Sequence, residues 1–295
     1  MAQLISAIHR VSLLGCCFLL GNGAFAADDR FANVEIVSQQ LSPNTYMFTG
    51  SGGNIGVSAG QDGIIIIDNQ FAPLAGKISA ALNTIQPGLP RYVVNTHYHG
   101  DHTGGNNTFG ISSTIFAHSN VLKRLASNDK YTQAALPSIT YEHGVSIHFN
   151  GDILHLIHLG AGHTDGDSVV LWDDKSVVHM GDLFFKDKWP YVDLEAGGSV
   201  KGYRDSVADI INRIDNDTKV IPGHGDLATK NDLIRFKHIL DGSINWMESQ
   251  LVSEKSLETL KQNGLPEKLQ GWGWSFISDE RWIETLYQDL SSEKP

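Results

Sequence analysis

Between residues 34 and 60, short β-branched and aromatic runs at 34–37, 45–48 and 54–58 alternate with turn residues, which predicts three short strands. The turn Gly50-Ser51-Gly52-Gly53 separates the last two and has the freedom of a hairpin or of a flap over a site. Residues 63–68 contain Ile64, Ile65, Ile66 and Ile67 in succession. An unbroken apolar run cannot turn one face to water, so it predicts a central strand buried on both sides. Over 73–85 the apolar positions Leu74, Ile78, Ala81, Leu82 and Ile85 recur at helical spacing, and Pro87-Gly88 ends the helix.

The pattern then predicts a strand at 93–96, a strand at 114–117 and a short helix at 119–125, with 130–141 irregular. Strands follow at 153–159, 168–172 and 176–180, a helix at 203–214 and a last strand at 219–222. From residue 229 onward the spacing is helical, over 229–251, 253–262 and 278–290. The tryptophans of Gly271-Trp272-Gly273-Trp274 read as packing residues. Strands and helices thus mix along one chain, which predicts a layered α/β domain presenting its chemistry just after its strands.

Chemistry concentrates in one such place. After the run Val93 to Thr96 come His97, His99, Asp101 and His102, four potential metal ligands within six residues. In extended backbone His97 and His99 project to the same side. Gly100 lets the chain turn, aiming Asp101 and His102 at a second point nearby. Three more candidates follow predicted strands: His163 in the glycine-rich turn 160–167, Asp182 after Gly181, and His224 between Gly223 and Gly225. His118 reads as a turn residue, and His155 and His158 as strand residues on opposite faces.

Composition narrows the chemistry. Of 295 residues only two are cysteines, Cys16 and Cys17, and both lie in a leader-like segment. Residues 1–26 combine Arg10, an apolar stretch over 11–20 and the small-x-small site Ala24-Phe25-Ala26, as in a cleaved secretory signal. The apolar stretch is shorter than the ~20 residues of a spanning helix, so no membrane anchor is expected after cleavage. A periplasmic or secreted chain without cysteine has no thiol nucleophile, and its metal ligands must be nitrogen and oxygen. The net charge of −11 is offset by no basic cluster, which speaks against nucleic acid and for a small-molecule substrate.

In these seven positions the chain resembles the metallo-β-lactamase superfamily, which carries the same His-x-His-x-Asp-His loop followed by a distant His, a distant Asp and a final Gly-flanked His. The resemblance implies an α/β fold, an αββα sandwich, here spanning 27–230, with 231–295 as a helical C-terminal section packing on the same domain. It implies two zinc ions per chain, the first held by His97, His99 and His163, the second by Asp101, His102 and His224, with Asp182 bridging. It further implies hydrolysis, in which a bridging hydroxide, its pKa lowered to about 7, attacks a carbonyl and Asp101 serves as the catalytic carboxylate.

β-Lactam ring opening is the first substrate expectation, because an exported hydrolase meets such antibiotics outside the cell. Lys186 and Lys188 are the candidate contacts for a substrate carboxylate. The alternative is a lactone, ester or thioester, as in glyoxalase II or the lactonases, although Phe185 stands where the lactonase branch has tyrosine. An iron-dependent oxidoreductase is a further alternative, against which His99 speaks, because the di-iron branch has glutamate there.

Overall fold

The computed structural model describes residues 29–292, so the leader read at 1–26 lies outside the described residues. Seven strands form the first sheet: β1 (Val37–Gln40), β2 (Thr45–Thr49), β3 (Ile55–Gly60), β4 (Gly63–Ile67), β5 (Tyr92–Val94), β6 (Thr114–His118) and β7 (Ile139–Tyr141), adjacent in chain order. The pairs from β1 to β4 are antiparallel and those from β4 to β7 parallel. Parallel pairing needs crossovers, and these supply α1 (Ala75–Ile85), the ligand loop with α2 (Gly100–Thr103) and α3 (Asn106–Phe109), and α4 (Ser119–Ala126).

The second sheet contains β8 (Gly144–Phe149), β9 (Asp152–Ile157), β10 (Val169–Trp172), β11 (Val177–His179), β12 (Lys219–Ile221) and β13 (Ala228–Thr229), with β13 at one edge and β8 at the other. The crossover from β11 to β12 carries α5 (Val200–Arg213), and β13 runs into α6 (Lys230–Val252), α7 (Leu257–Asn263) and α8 (Asp279–Ser292). Thr229 and Asp232 form a reciprocal capping box that starts α6.

The isoleucines of β4 show how the layers are held. Ile65 and Ile67 face the second sheet, packing with Val94, Leu156, Val170 and Trp172. Ile64 and Ile66 face outward, with Leu74, Ile78 and Leu82 from the α1 side. All four are at most 1 % exposed, so neither face of the strand meets water. On the far side, Val178 and Val220 pack with Tyr203 of α5, Phe236 and Leu240 of α6, and Trp282 and Leu286 of α8. The result is the expected αββα sandwich, with the C-terminal helices sharing the outer core of the second sheet.

Three strands escape the sequence pattern, β7, β8 and the two-residue β13 just before α6, and the strand expected at 34–37 lies at 37–40 as β1. The segment 130–141, expected to be irregular, ends in β7, whose exposed Ile139 and Thr140 give it no amphipathic signature. Strand β8 has only alternate residues inward, among them Ile147 and Phe149, and the intervening Ser146 and His148 conceal the run. In the other direction, β9 stops at Ile157, and His158 instead stacks on His118 at a ring separation of 4.0 Å.

Candidate metal centre

Strand β5 delivers Asn95, Thr96 and His97 to the sheet edge, and Asp68 at the end of β4 fixes them. The Thr96 backbone N–H and hydroxyl donate to the two Asp68 oxygens at 2.8 and 2.7 Å. Asp68 is fully buried with φ 64, a conformation rarely tolerated outside glycine and here stabilised by those bonds. Beyond His99 the chain coils into α2, which places Asp101 and His102 one turn away. His163 comes from the loop after β9, Asp182 from the turn after β11, and His224 from the loop after β12. The ligand atoms of His97, His99, His163 and Asp182 lie within 4.8 Å of one another, as do those of Asp101, His102 and His224.

Hydrogen bonds behind the ligands determine which ring nitrogen carries each proton. His163 Nδ1 lies 2.7 Å from the Tyr191 carbonyl, which can only accept, so the proton is on Nδ1 and the Nε2 lone pair faces the site. His99 Nε2 donates to Asp193 Oδ2 at 3.0 Å, leaving a lone pair on Nδ1. These two lone pairs face each other at 2.8 Å. His97 Nδ1 lies 3.1 Å from the Thr96 oxygen, whose own proton goes to Asp68, so His97 also turns Nε2 inward. His102 Nδ1 donates to Asp68 at 2.7 Å, and its Nε2 points at Asp182 Oδ1, 3.0 Å away. His97 Nε2, His102 Nε2 and Asp182 Oδ1 are buried with no hydrogen-bond partner among the described residues. Between His97, His99 and His163 the converging lone pairs meet no donor, which is unfavourable unless a cation sits among them, so the residues fit a metal.

Asp182 lies between the two sets. Its Oδ1 is 3.0 Å from His102 and 3.4 Å from His224, while its Oδ2 is 3.4 Å from His163 and 3.8 Å from His97. Each carboxylate oxygen thus serves one set. Imidazole and carboxylate donors without thiolate suit zinc.

Without metal the charges divide the same way. Burial and the neighbouring rings push His97 well below its ordinary value, and burial pushes His163 down to about 4. Burial also opposes charge on His102 and His224, but the Asp182 and Asp101 carboxylates outweigh it. They hold His102 well above its ordinary value and raise His224 to about 9. Asp182 is correspondingly held well below the usual carboxylate range, its burial overcome by the surrounding histidines.

The site floors an open cavity of about 380 Å³, where His99, Asp101, Asp182 and His224 are accessible. Neither candidate lysine lines it. The Lys186 ammonium donates to the Leu227 carbonyl at 3.1 Å, and that of Lys188 sits 4.9 Å over the Trp274 ring. Among the described residues, no lysine or arginine lines this cavity. Trp274, expected to be a packing residue, does line it. The turn at Gly50 to Gly53 does not line the cavity and is tied down: Gly53 donates to the Asp101 carbonyl at 3.1 Å and accepts from Gln70 Nε2 at 2.9 Å. From the loop 131–141, Tyr131 bonds the Thr103 hydroxyl behind α2.

Four residues beyond the expected set support the ligands. Asp68 orients His102 and Asp193 orients His99, and only the acidic residue at the end of β4 carried a sequence signal, its place after a buried strand. Gly53 packs so tightly on His102 that a Cβ there would lie 2.5 Å from both ring nitrogens. Gly223 is equally close to Asp182, which explains the glycine before His224.

A family model described as the metallo-beta-lactamase superfamily matches residues 48–224, from β2 to the last candidate ligand. Among curated relatives, an uncharacterized protein of Mycobacterium tuberculosis is 36% identical over 104 residues, covering 34% of this chain and 46% of the relative. The match therefore spans about half the length of the relatives found. Among solved structures, a metallo-beta-lactamase from Pontibacter korlensis aligns with TM-score 0.60 at 19% identity, covering 70% of this chain and 99% of its own. The stereoselective inverting sec-alkylsulfatase from Pseudomonas sp. aligns with TM-score 0.68 at 15% identity, covering 86% of this chain and 50% of its own. At these identities the likeness is one of fold.

Proposed function

The chain belongs to the metallo-beta-lactamase superfamily, and from that premise we propose that it is an exported, two-zinc hydrolase that cleaves a lactone, ester or thioester. The observation that carries the reading is the pair of inward-facing ligand sets sharing Asp182 at the floor of an open cavity. Zinc at such a site supplies a water ionised at neutral pH and a Lewis acid for the carbonyl oxygen.

The chain's own residues supply the rest. Asp68 and Asp193 hold the His102 and His99 rings by charge-assisted bonds, so these ligands need no reorganisation when substrate arrives. Asp101 is a quarter exposed at the cavity floor, with Oδ2 3.4 Å from His224 and 3.7 Å from His102. Burial opposes its ionisation, but His102 and His224 hold its carboxyl below the ordinary value. It is therefore a carboxylate at neutral pH, placed to accept a proton at its carboxylate and return it to the leaving group.

The leader-like residues 1–26 favour a second reading, β-lactam ring opening, because export would bring the enzyme to such antibiotics before they reach the cell wall. Against it, Lys186 is bound to the Leu227 carbonyl and Lys188 rests on Trp274, so neither lines the cavity as a cation for the substrate carboxylate.

The test is turnover of a lactone, a thioester, a 4-nitrophenyl ester and a chromogenic cephalosporin by purified protein, with zinc counted per chain. Ester or thioester cleavage abolished by chelator and restored by zinc is expected. Cephalosporin cleavage alone would select the second reading, and chelator-insensitive turnover or none would overturn the hydrolase proposal.

A further inference from the structure

The cavity above the ligands is walled by rings from distant parts of the chain: Phe71, Phe185, Tyr191, Trp274 and Phe276. The last two belong to the C-terminal segment, beyond the residues matched by the family model. They are held in place. The Trp189 backbone N–H donates to the Trp272 carbonyl at 2.8 Å, and Trp274 Nε1 donates back to the Trp189 carbonyl at 3.0 Å. Trp189 itself is buried, stacks on Trp282 at 5.1 Å and donates to Asp279 at 2.6 Å. A buried indole thus locks the segment that roofs the site.

The rings also contact one another and the ligands. Phe185 stacks on His224 at 4.9 Å and approaches Trp274 at 6.2 Å, while Tyr191 meets Phe276 edge-on at 5.5 Å and lies 5.8 Å from His99. Phe276 is nevertheless 47% exposed, and an exposed ring fixed beside a cavity mouth has surface left for a ligand.

An aromatic enclosure suits either an organic cation or a neutral flat group. Two observations favour the neutral group. Lys188 already sits over Trp274, and Arg281 lies 4.7 Å from the centre of Phe276 and 5.5 Å from that of Tyr191. These cations occupy ring faces that a substrate cation would need, and they would repel it. A carboxylate would be drawn towards the same two cations, but neither lines the cavity and both are already engaged with the rings.

We propose that Trp274 and Phe276 form, with Phe185 and Tyr191, a specificity pocket for a neutral, planar apolar group next to the scissile carbonyl. The pocket deepens the hydrolase reading above and rests on it for the reaction, but ring binding can be measured without turnover. A cavity of about 380 Å³ holds a small ring system together with the scissile group.

The test uses the zinc-loaded full chain and the variants Phe276→Ala, Trp274→Ala and Trp274→Phe. Substrates are 4-nitrophenyl esters with one leaving group and varied acyl parts: acetyl, 3-phenylpropanoyl, a ring-carboxylated phenylpropanoyl and a 4-trimethylammoniobutanoyl group. Non-reacting 2-acetylnaphthalene is titrated in parallel by calorimetry and tryptophan fluorescence. The phenylpropanoyl ester is expected to exceed the other three in kcat/KM by about tenfold, the scale of one well-filled apolar pocket. Phe276→Ala and Trp274→Ala should erase most of that preference and weaken acetylnaphthalene binding about tenfold, while Trp274→Phe restores much of both.

Phe276 is half in solvent, so its variant keeps the fold if Trp274→Ala does not. Acetylnaphthalene binding lost in these variants supports the pocket even if no ester is cleaved. Ester turnover with no acyl preference and no acetylnaphthalene binding overturns the pocket and leaves the hydrolase standing. Preference for the cationic or the carboxylated acyl group also overturns it.

Discussion

Gly53→Ala should weaken the second metal set through sterics alone. Gly53 lies outside the left-handed backbone region, so alanine costs nothing there in φ, and the whole effect comes from the added methyl. That Cβ would lie 2.1 Å from His102 Cε1 and 2.5 Å from both ring nitrogens, where carbon contacts ordinarily settle at ~3.5 Å, so ring or turn must yield by about 1–1.4 Å. The ring has little room. Asp68 holds Nδ1 at 2.7 Å on one side and the His97 ring lies 4.2 Å away on another. A displacement of that size stretches the Asp68 bond beyond useful length, at about 1.5–3 kcal/mol for a charge-assisted bond. Overpacking by a methyl costs about 1–3 kcal/mol, and the two overlap because the shift that relieves one causes the other. We expect a loss of about 2–4 kcal/mol in the metal-free protein by denaturant melts, and about 10–100-fold weaker binding of one zinc by chelator competition. Gly76→Ala is the control, since a Cβ there meets nothing within 4 Å in α1, and it should be neutral or slightly stabilising. Wild-type stability and two tightly held zincs in Gly53→Ala would refute the reasoning.

Asp101→Asn should keep most of its zinc and lose about 10²–10⁴-fold in kcat, because the amide cannot take up the proton; retained turnover would remove the assigned role. His224→Ala should release one zinc per chain and leave the other, and unchanged stoichiometry by elemental analysis would make this histidine structural. Asp193→Asn should weaken the first set about 10–100-fold: Tyr98, His99 and the Ala196 N–H all donate to this carboxylate, and an amide must turn its NH2 towards one of them. Loading the two sets should differ in protons. Metal-free His102 and His224 are held charged, the latter with a pKa of about 9, so at pH 7 filling their set releases protons and tightens as pH rises towards 9. His97 is depressed and His163 titrates near 4, so filling the first set at pH 7 releases almost none from these rings. Calorimetry in two buffers of different ionisation enthalpy reads the difference, and equal release from both sets would contradict it.

The ligands were legible because each follows a strand whose apolar pattern marks its end. The β4 isoleucines announced a doubly buried strand, and the histidines after residues 93–96 had no packing explanation. Spacing along the chain also separated His97 and His99 from Asp101 and His102, since side-chain direction near a strand end is local. The places of His163, Asp182 and His224 in the two sets came instead from the resemblance. Support for the ligands was hidden because it crosses the chain: Asp193 reaches His99 over a separation of 94 residues, and Gly53 matters only because His102 comes to rest against it. Strands β7 and β8 were illegible for a related reason, each showing too few inward apolar residues to stand out from a loop.

The hydrophobic periodicity and the ligand types thus determined a layered α/β domain, its central strand and a nitrogen-and-oxygen candidate metal site, which depend on residues near one another in sequence. The αββα arrangement was what the resemblance of the seven ligand positions implied. Tertiary structure alone decided what surrounds that site. It kept Lys186 and Lys188 out of the cavity lining, because a backbone carbonyl and an indole face offered them nearer partners. It brought Trp274 and Phe276 over the candidate metal ligands, because the buried Trp189 anchors their loop. Aromatic residues at the C-terminal end carry no periodic signal of where they dock, and only the packed core between the second sheet and α5, α6 and α8 sets their place.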